Sequence, residues 1–300
     1  MTAKQMGPTE WAMMIGLALL WSATFFFVEI GLKEIGPFWL VTGRVGFGAA
    51  TLWILVFALG VSRPDNLRDW RDLLVMGLLN NAIPFTCIFW GQVYITAGLA
   101  SILNATTPIF AVIVAHLFLV DERATLLKTI GVLFGVAGVV VLIGPEVLGG
   151  LTESLWGQLA VIGASVSYAF AGVFGRRLSR MPAMTTAAGM LTMSTLLMIP
   201  VSFLAEGTPD LSLSWQTWGA ILVLGIAGSG MAYILYFRIL ERAGATNLLL
   251  VTLLIPPGAI LLGVAFLDET LTWGAAAGMI LIFIGLAFVD GRVFKRRRAA

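Results

Sequence analysis

Ten stretches of mostly apolar residues, each about the length that crosses a bilayer, run through the chain at 11–31, 38–59, 70–91, 98–119, 126–143, 155–175, 183–204, 215–237, 245–267 and 273–289. A hydrocarbon core about 30 Å thick takes about 20 residues of helix. Lipid offers no hydrogen bonds, so each stretch must satisfy its own backbone, which a helix does and an isolated strand does not. The pattern therefore predicts an all-α polytopic membrane protein with ten transmembrane helices. Composition agrees: 59% of the residues are hydrophobic and 11% charged, too few charges to cover a water-facing surface. The first stretch follows Lys4 as a signal-peptide core would, but Glu10 and the nine similar stretches after it predict an uncleaved span.

Basic residues orient the set, because short cytoplasmic loops retain them. Lys4 precedes the first stretch. The even-numbered connections hold Arg63, Arg68 and Arg71, then Arg123 and Lys128, then Arg176, Arg177 and Arg180, then Arg238 and Arg242, and the tail holds Arg292, Lys295, Arg296, Arg297 and Arg298. The odd-numbered connections have only Lys33, and Arg44 lies inside a stretch. Both termini are thus expected to be cytoplasmic, in an inner (plasma) membrane. The formal net charge is +2, but no basic patch interleaved with aromatics separates the apolar runs, so no nucleic-acid partner is expected. One cysteine, Cys87, and one histidine, His116, leave no disulfide, zinc cluster or histidine triad to build. No cofactor and no enzyme activity are expected; the partners are membrane lipid and a small-molecule substrate.

The segment FLVDERATLLKTIGVLFGVAGVVVL returns as AFLDETLTWGAAAGMILIFIGLAFV. One constant offset superimposes Asp121 on Asp268, Glu122 on Glu269, Thr125 on Thr272, Gly131 on Gly278 and Gly138 on Gly285. Ala97-Gly98 and Pro108 meet Ala243-Gly244 and Pro256 within one residue of it. The repeat predicts two five-helix halves, 1–145 and 146–300. Five is odd, so the second half enters the membrane upside down relative to the first. In 5+5 inverted-topology repeats the substrate binds near the midplane between the halves.

These features together resemble the EamA-type branch of the drug/metabolite transporter superfamily, over almost the whole chain. The resemblance is carried by the repeat, by a mid-helix proline followed within about one stretch by an acidic residue, and by the Gly-rich helix after it. It implies export of small metabolites through a cavity lined by helices 1, 3, 4, 6, 8 and 9, with helices 5 and 10 at the periphery. The chain is similar to the aromatic amino acid exporter branch, which implies an amino-acid substrate. Arg44, near the start of helix 2, is a basic residue familiar in these transporters; the second half has Gly189 at the corresponding distance from Pro182.

Polar residues at mid-depth are the candidates for substrate contact, because an amide unpaired in hydrocarbon costs a few kcal/mol and must face another helix or a wet cavity. Asn80 and Asn81 lie at the centre of helix 3, with Phe85 close by and Pro84 positioned to free a carbonyl. Helix 1 offers Trp21, Ser22 and Phe25, helix 4 Asn104, helix 6 Ser165 and Tyr168, and helix 8 Ser229 and Tyr233. Together they describe an apolar pocket with a few neutral hydrogen-bonding groups. Pro84, Pro108 and Pro256 are candidate hinges. Arg44 is expected to pair with Glu29 or to snorkel, leaving no lysine or arginine in the cavity. His116 is expected at the membrane interface, and Glu122 and Glu269 to cap or pair locally. Without a carboxylate at mid-depth, facilitated export of small neutral or zwitterionic metabolites by alternating access is expected, with a proton-coupled drug/metabolite antiporter and a channel or scaffold as the alternatives. A monomer is expected; GxxxG spacing at Gly131 and Gly135 and at Gly274 and Gly278 offers helices 5 and 10 as a dimer contact.

Overall fold

The structure, a computed structural model, describes residues 7–119, 125–143, 153–243 and 251–290. Asp121, Glu122, Arg123, Gly244 and the basic tail from Arg292 onward lie outside these. All regular structure among the described residues is helical. We number the rods in chain order. α1 is Pro8–Gly31 and α2 Pro37–Ala58. α3 runs through Leu67–Gly77, Leu78–Ala82 and Ile83–Gly91, and α4 comprises Ala97–Asn104 and Thr107–Phe118. α5 is Leu126–Ile143, α6 Glu153–Gly175 and α7 Ala183–Glu206. α8 runs through Trp215–Leu222, Val223–Met231 and Ala232–Ala243, α9 is Val251–Phe266 and α10 Trp273–Asp290. Seven are long and apolar enough to cross a membrane; the apolar parts of α5, α9 and α10 are shorter.

Local chemistry sets the ends. Pro8 and Pro37 open α1 and α2, where a missing N–H is harmless. Side chains of Asn66, Thr96 and Ser214 cap α3, α4 and α8. Gly60 and Gly207, at φ +62° and +72°, turn the chain out of α2 and α7 in a region that disfavours other residues. The two ends of the bundle differ in charge. At one end Arg180 holds Asp69 at 2.6 Å and Asp72 at 2.8 Å, tying the α6–α7 connection to the first turns of α3. These two carboxylates raise the Arg180 pKa, Asp72 contributing more.

At the other end carboxylates cap helices from a distance in sequence. Glu206 accepts the N–H groups of Phe38 (3.0 Å) and Trp39 (3.1 Å) at the start of α2. Glu269 accepts those of Ala97 (2.7 Å) and Gly98 (3.0 Å) at the start of α4. Glu34 accepts that of Ser214, ahead of α8, at 2.8 Å. Each puts a negative charge on the positive end of a helix dipole and satisfies donors that have no intrahelical partner. Glu269 therefore caps a helix in the other half of the chain, not a local one.

Glycines set the closest helix contacts. α5 and α10 run antiparallel, with Gly138 against Gly278 and Ile282, and Gly285 against Gly131 and Gly135. α2 and α7 are also antiparallel, joined by Thr42 to Ser202 at 2.8 Å and by Trp53 Nε1 to Thr192 at 2.8 Å. α3 meets α6 at Gly91 and Gly157, and α1 meets α8 where Gly228 faces Thr24. The main core cluster, holding Leu40, Leu52, Phe89, Leu103, Val161, Leu191 and Leu224, spans both halves. Pro256 and Pro257 sit inside an unbroken α9, whereas α4 is interrupted between Asn104 and Thr107, just before Pro108.

A Cβ at Gly285 would lie 2.6 Å from Gly131 O and one at Gly138 2.8 Å from Gly278 O, while one at Gly163 meets nothing within 4 Å. Gly285→Ala and Gly138→Ala should each destabilise the protein by about 1–3 kcal/mol, the usual range for overpacking, and lower its thermal midpoint in detergent. Gly163→Ala should leave the midpoint unchanged. Equal midpoints for all three variants would contradict the α5–α10 contact.

Candidate functional site

Two helices lose their regular hydrogen-bond ladder at mid-length, and both irregularities have a cause in sequence. In α3, Pro84 has no N–H to give the Asn80 carbonyl, and its ring crowds that carbonyl. The helix widens into a π turn over Leu78–Ala82, which contains Asn80 and Asn81. In α8 the π stretch Val223–Met231 is rich in glycine, with Gly225, Gly228 and Gly230. Wide turns of this kind recur at functional sites. Neighbouring helices brace the first: Ser167 Oγ donates to Leu79 O at 2.7 Å and Ser194 Oγ to Gly77 O at 3.0 Å. Where α4 breaks, Ser165 Oγ lies 3.3 Å from Leu103 O and 3.5 Å from Asn104 O.

Close packing of α2 on α8 brings the second π turn to a charge. Gly225 approaches Phe47, Arg44 O and Gly48, and Gly48 approaches Ser229. Arg44, 7% exposed, thereby reaches inward, its Nε donating to Ser229 Oγ at 3.3 Å. Its guanidinium carbon stands 3.8 Å from the ring centroid of Phe85 and 5.6 Å from that of Phe89. Its electrostatic neighbours are the phenols of Tyr168 and Tyr233. Asn80 Nδ2 lies 3.3 Å from Tyr233 Oη, 3.8 Å from Met190 Sδ and 3.5 Å from Asn81 Oδ1. Rings extend the cluster: Tyr233 to Tyr236 at 6.2 Å between centroids, and Tyr236 to Trp21 at 6.0 Å.

The structure thus gathers Asn80, Phe85, Tyr168, Ser229 and Tyr233 around Arg44, with Trp21 at the edge through Tyr236. Asn81 adjoins the cluster but is fully buried, its Nδ2 without a partner. Asn104 and Ser165 form a second group at the α4 break, where Asn104 Oδ1 is buried and unpaired. Ser22 and Phe25 stand apart. Ser22 Oγ is held by Ala18 O (2.7 Å) and Ile255 O (2.9 Å), joining α1 to α9. Phe25 is buried, and its carbonyl accepts from Gln92 Nε2 at 2.9 Å.

Arg44 corrects the expectation of a cavity without basic residues and of a pair with Glu29. Glu29 lies at the acidic end beside Gln92, Lys33 and Glu269, on a hollow of about 460 Å³ lined also by Thr96, Phe266 and Asp268. The sequence does carry a signal for the true placement. Gly48 is one helical turn from Arg44, so both share the face that small residues let pack tightly. His116 is exposed in the last turn of α4. No group of three potential metal ligands forms among the described residues.

Comparison with known proteins agrees with this architecture. Residues 10–144 and 155–289 each match the EamA-like transporter family. The uncharacterized transporter YoaV of Bacillus subtilis is 25% identical, over 95% of this chain and 97% of its own. The uncharacterized inner membrane transporter YedA of Escherichia coli K12 is 28% identical, over 94% and 91%. A probable terminal-alkyne amino-acid exporter of Streptantibioticus cattleyicolor is 26% identical, over 97% and 96%. A solved crystal structure with 24% identity superimposes with a TM-score of 0.69, over 96% of this chain and 99% of its own, and shows the same fold. Family matches over most of the chain, together with the apolar helices long enough to span a bilayer, place this protein in the EamA-like transporter family as a multi-pass inner-membrane transporter.

Proposed function

We propose that the protein exports small zwitterionic metabolites, amino acids foremost, by alternating access between two inverted five-helix halves, 1–145 and 146–300. The observation that carries this reading is that one mid-depth cluster draws on both halves: Arg44, Asn80 and Phe85 from the first, Tyr168, Met190, Ser229 and Tyr233 from the second. A site shared between halves changes its access when they rock. The contacts support inversion. Exchanging α1 with α6, α3 with α8, and α5 with α10 carries the α1–α8 contact onto α6–α3, and Gly138–Gly278 onto Gly285–Gly131. Equivalent helices that touch while running antiparallel fit a two-fold axis in the membrane plane. The probable amino-acid exporter among the relatives supports the substrate class.

In this reading ten helices cross the membrane and the arginine-rich end is cytoplasmic. The cluster contains no carboxylate that could trade a proton for substrate, which supports facilitated transport. A monomer is the favoured unit, since Gly131, Gly135, Gly138, Gly278 and Gly285 pack α5 on α10 within one chain. The helix break before Pro108 and the π turn before Pro84 are the points about which access changes, with Pro256 a lesser one in its unbroken helix.

Proteoliposomes loaded with labelled amino acids should release at least one of them saturably, with counterflow, and with little response to an imposed pH gradient. Accumulation driven by protons, or flux without saturation, would contradict the carrier. Asn80→Leu should lower efflux at least tenfold with thermal stability retained, whereas Asn81→Leu, at a fully buried position, should chiefly lower stability. In a Cys87→Ala background, Ser179→Cys should resist an impermeant thiol reagent added outside cells, and Thr208→Cys should react. The reverse pattern would invert the topology.

A further inference from the structure

A guanidinium buried in a membrane protein is ordinarily matched by a carboxylate, because an uncompensated charge is among the costliest groups to place out of water. Arg44 has no such match. It is 7% exposed, and no acidic group among the described residues forms an ion pair with it. Guanidinium carries five N–H donors. Among the described residues only Nε has an acceptor, a neutral hydroxyl at 3.3 Å. The planar face is taken by Phe85, so the terminal N–H groups at the edge are what remains for a ligand.

What surrounds that edge narrows the ligand. Asn80, Tyr168 and Tyr233 are half-buried, so they border accessible space although they sit at mid-helix. Asn81 Nδ2, on the same π turn as Asn80, is buried and has no acceptor. An unmatched cationic donor edge calls for an anionic planar acceptor. A carboxylate meets guanidinium edge-on with two parallel hydrogen bonds. A cationic group in the same substrate finds the faces of Tyr233, Tyr236 and Trp21, linked ring to ring.

We infer that Arg44 is the carboxylate receptor of the transport site, and that it restricts the substrates to molecules bearing a free carboxylate beside an ammonium or an apolar group. The inference rests on the proposed transport function and deepens it. Arg44 is then charged and partly desolvated in waiting, and the substrate supplies the counter-ion that the fold omits. Ser229 acts as a positioning residue that fixes the guanidinium plane through Nε. Gly48 and Gly225 let the two helices come close enough for that bond. By the inverted contacts the second half holds Met190 at the corresponding position, where Gly77 approaches its carbonyl as Gly225 approaches that of Arg44 and its Sδ lies 3.8 Å from Asn80 Nδ2, so the site contains one carboxylate receptor and not two.

The test uses L-phenylalanine, L-phenylalaninamide, 3-phenylpropionate and phenethylamine as competitors of labelled efflux from proteoliposomes. In the wild type, phenylalanine and 3-phenylpropionate should compete, while the amide and the amine should be at least tenfold weaker. Arg44→Gln should raise the phenylalanine KM at least tenfold and leave the amide unchanged, and Arg44→Lys should recover part of the difference. Should Arg44→Gln fail to fold, the wild-type comparison of acid with amide decides, with Ser229→Ala as the milder variant that should narrow the acid-to-amide ratio. Equal competition by acid and amide in the wild type overturns the inference while leaving amino-acid transport standing. So does an Arg44→Gln protein that keeps the discrimination. If the wild type moves no amino acid but moves another carboxylate in an Arg44-dependent way, the amino-acid reading falls and the receptor stands. If no carboxylate is moved or bound, both fall.

Discussion

An interruption of a helix inside a bilayer exposes backbone groups that lipid cannot meet, and in α3 and α4 hydroxyls from adjacent helices meet them. Ser194 and Ser167 hold carbonyls at Gly77 and Leu79, at the π turn of α3. Ser165 holds the carbonyls exposed where α4 breaks. Ser22 holds Ile255 O, one residue before Pro256. The chain can therefore place irregular, polar backbone at mid-depth without losing its packing. Asn80 and Asn81 lie on such a braced turn, and Ser229 lies on the π stretch of α8, where its own hydroxyl reaches Leu224 O at 3.4 Å. The polar centre of the molecule follows from how its helices fail.

Against that framework one charge breaks the balance between the halves. Gly77 of α3 approaches Met190 O and Ser194 of α7 much as Gly225 of α8 approaches Arg44 O and Gly48 of α2. The backbone contact is thus made twice, in similar form. The side chains are not: Arg44 meets Phe85 and Ser229, where Met190 meets Asn80. The packing is thus alike in the two halves and the chemistry is not. At the acidic end, Glu269 and Glu206 fasten loops of the second half to the helix starts of the first. Charge-assisted bonds to backbone N–H groups are stronger than neutral ones.

Helix positions are legible from the sequence because hydrophobic length and turn chemistry act locally. α5 and α10 begin at Leu126 and Trp273, where polar punctuation ends, and α2 ends beside Gly60. The polar residues of α3 and α8 can be found because an amide or hydroxyl among apolar neighbours stands out. Contacts between helices are another matter, because they depend on rotation about each axis. Arg44 and Glu29 are close enough in depth to invite a pair, yet face different partners. Ser22 looks like a pocket residue by depth and is instead bonded to α9. Glu269 caps a helix far away in sequence, which no local pattern reveals. The glycines next to Arg44 are the exception: a small-residue face tells which side of a helix will be buried against another.

A structure determined with a transported amino acid bound most directly tests the proposal that the substrate is the counter-ion of Arg44. The predicted result places the ligand carboxylate within about 3 Å of the terminal nitrogens of Arg44, as a charge-assisted hydrogen bond requires, with the remainder of the ligand against Tyr233 and Asn80. A ligand bound elsewhere, or one that turns its carboxylate away while Arg44 pairs with a protein carboxylate, would contradict it.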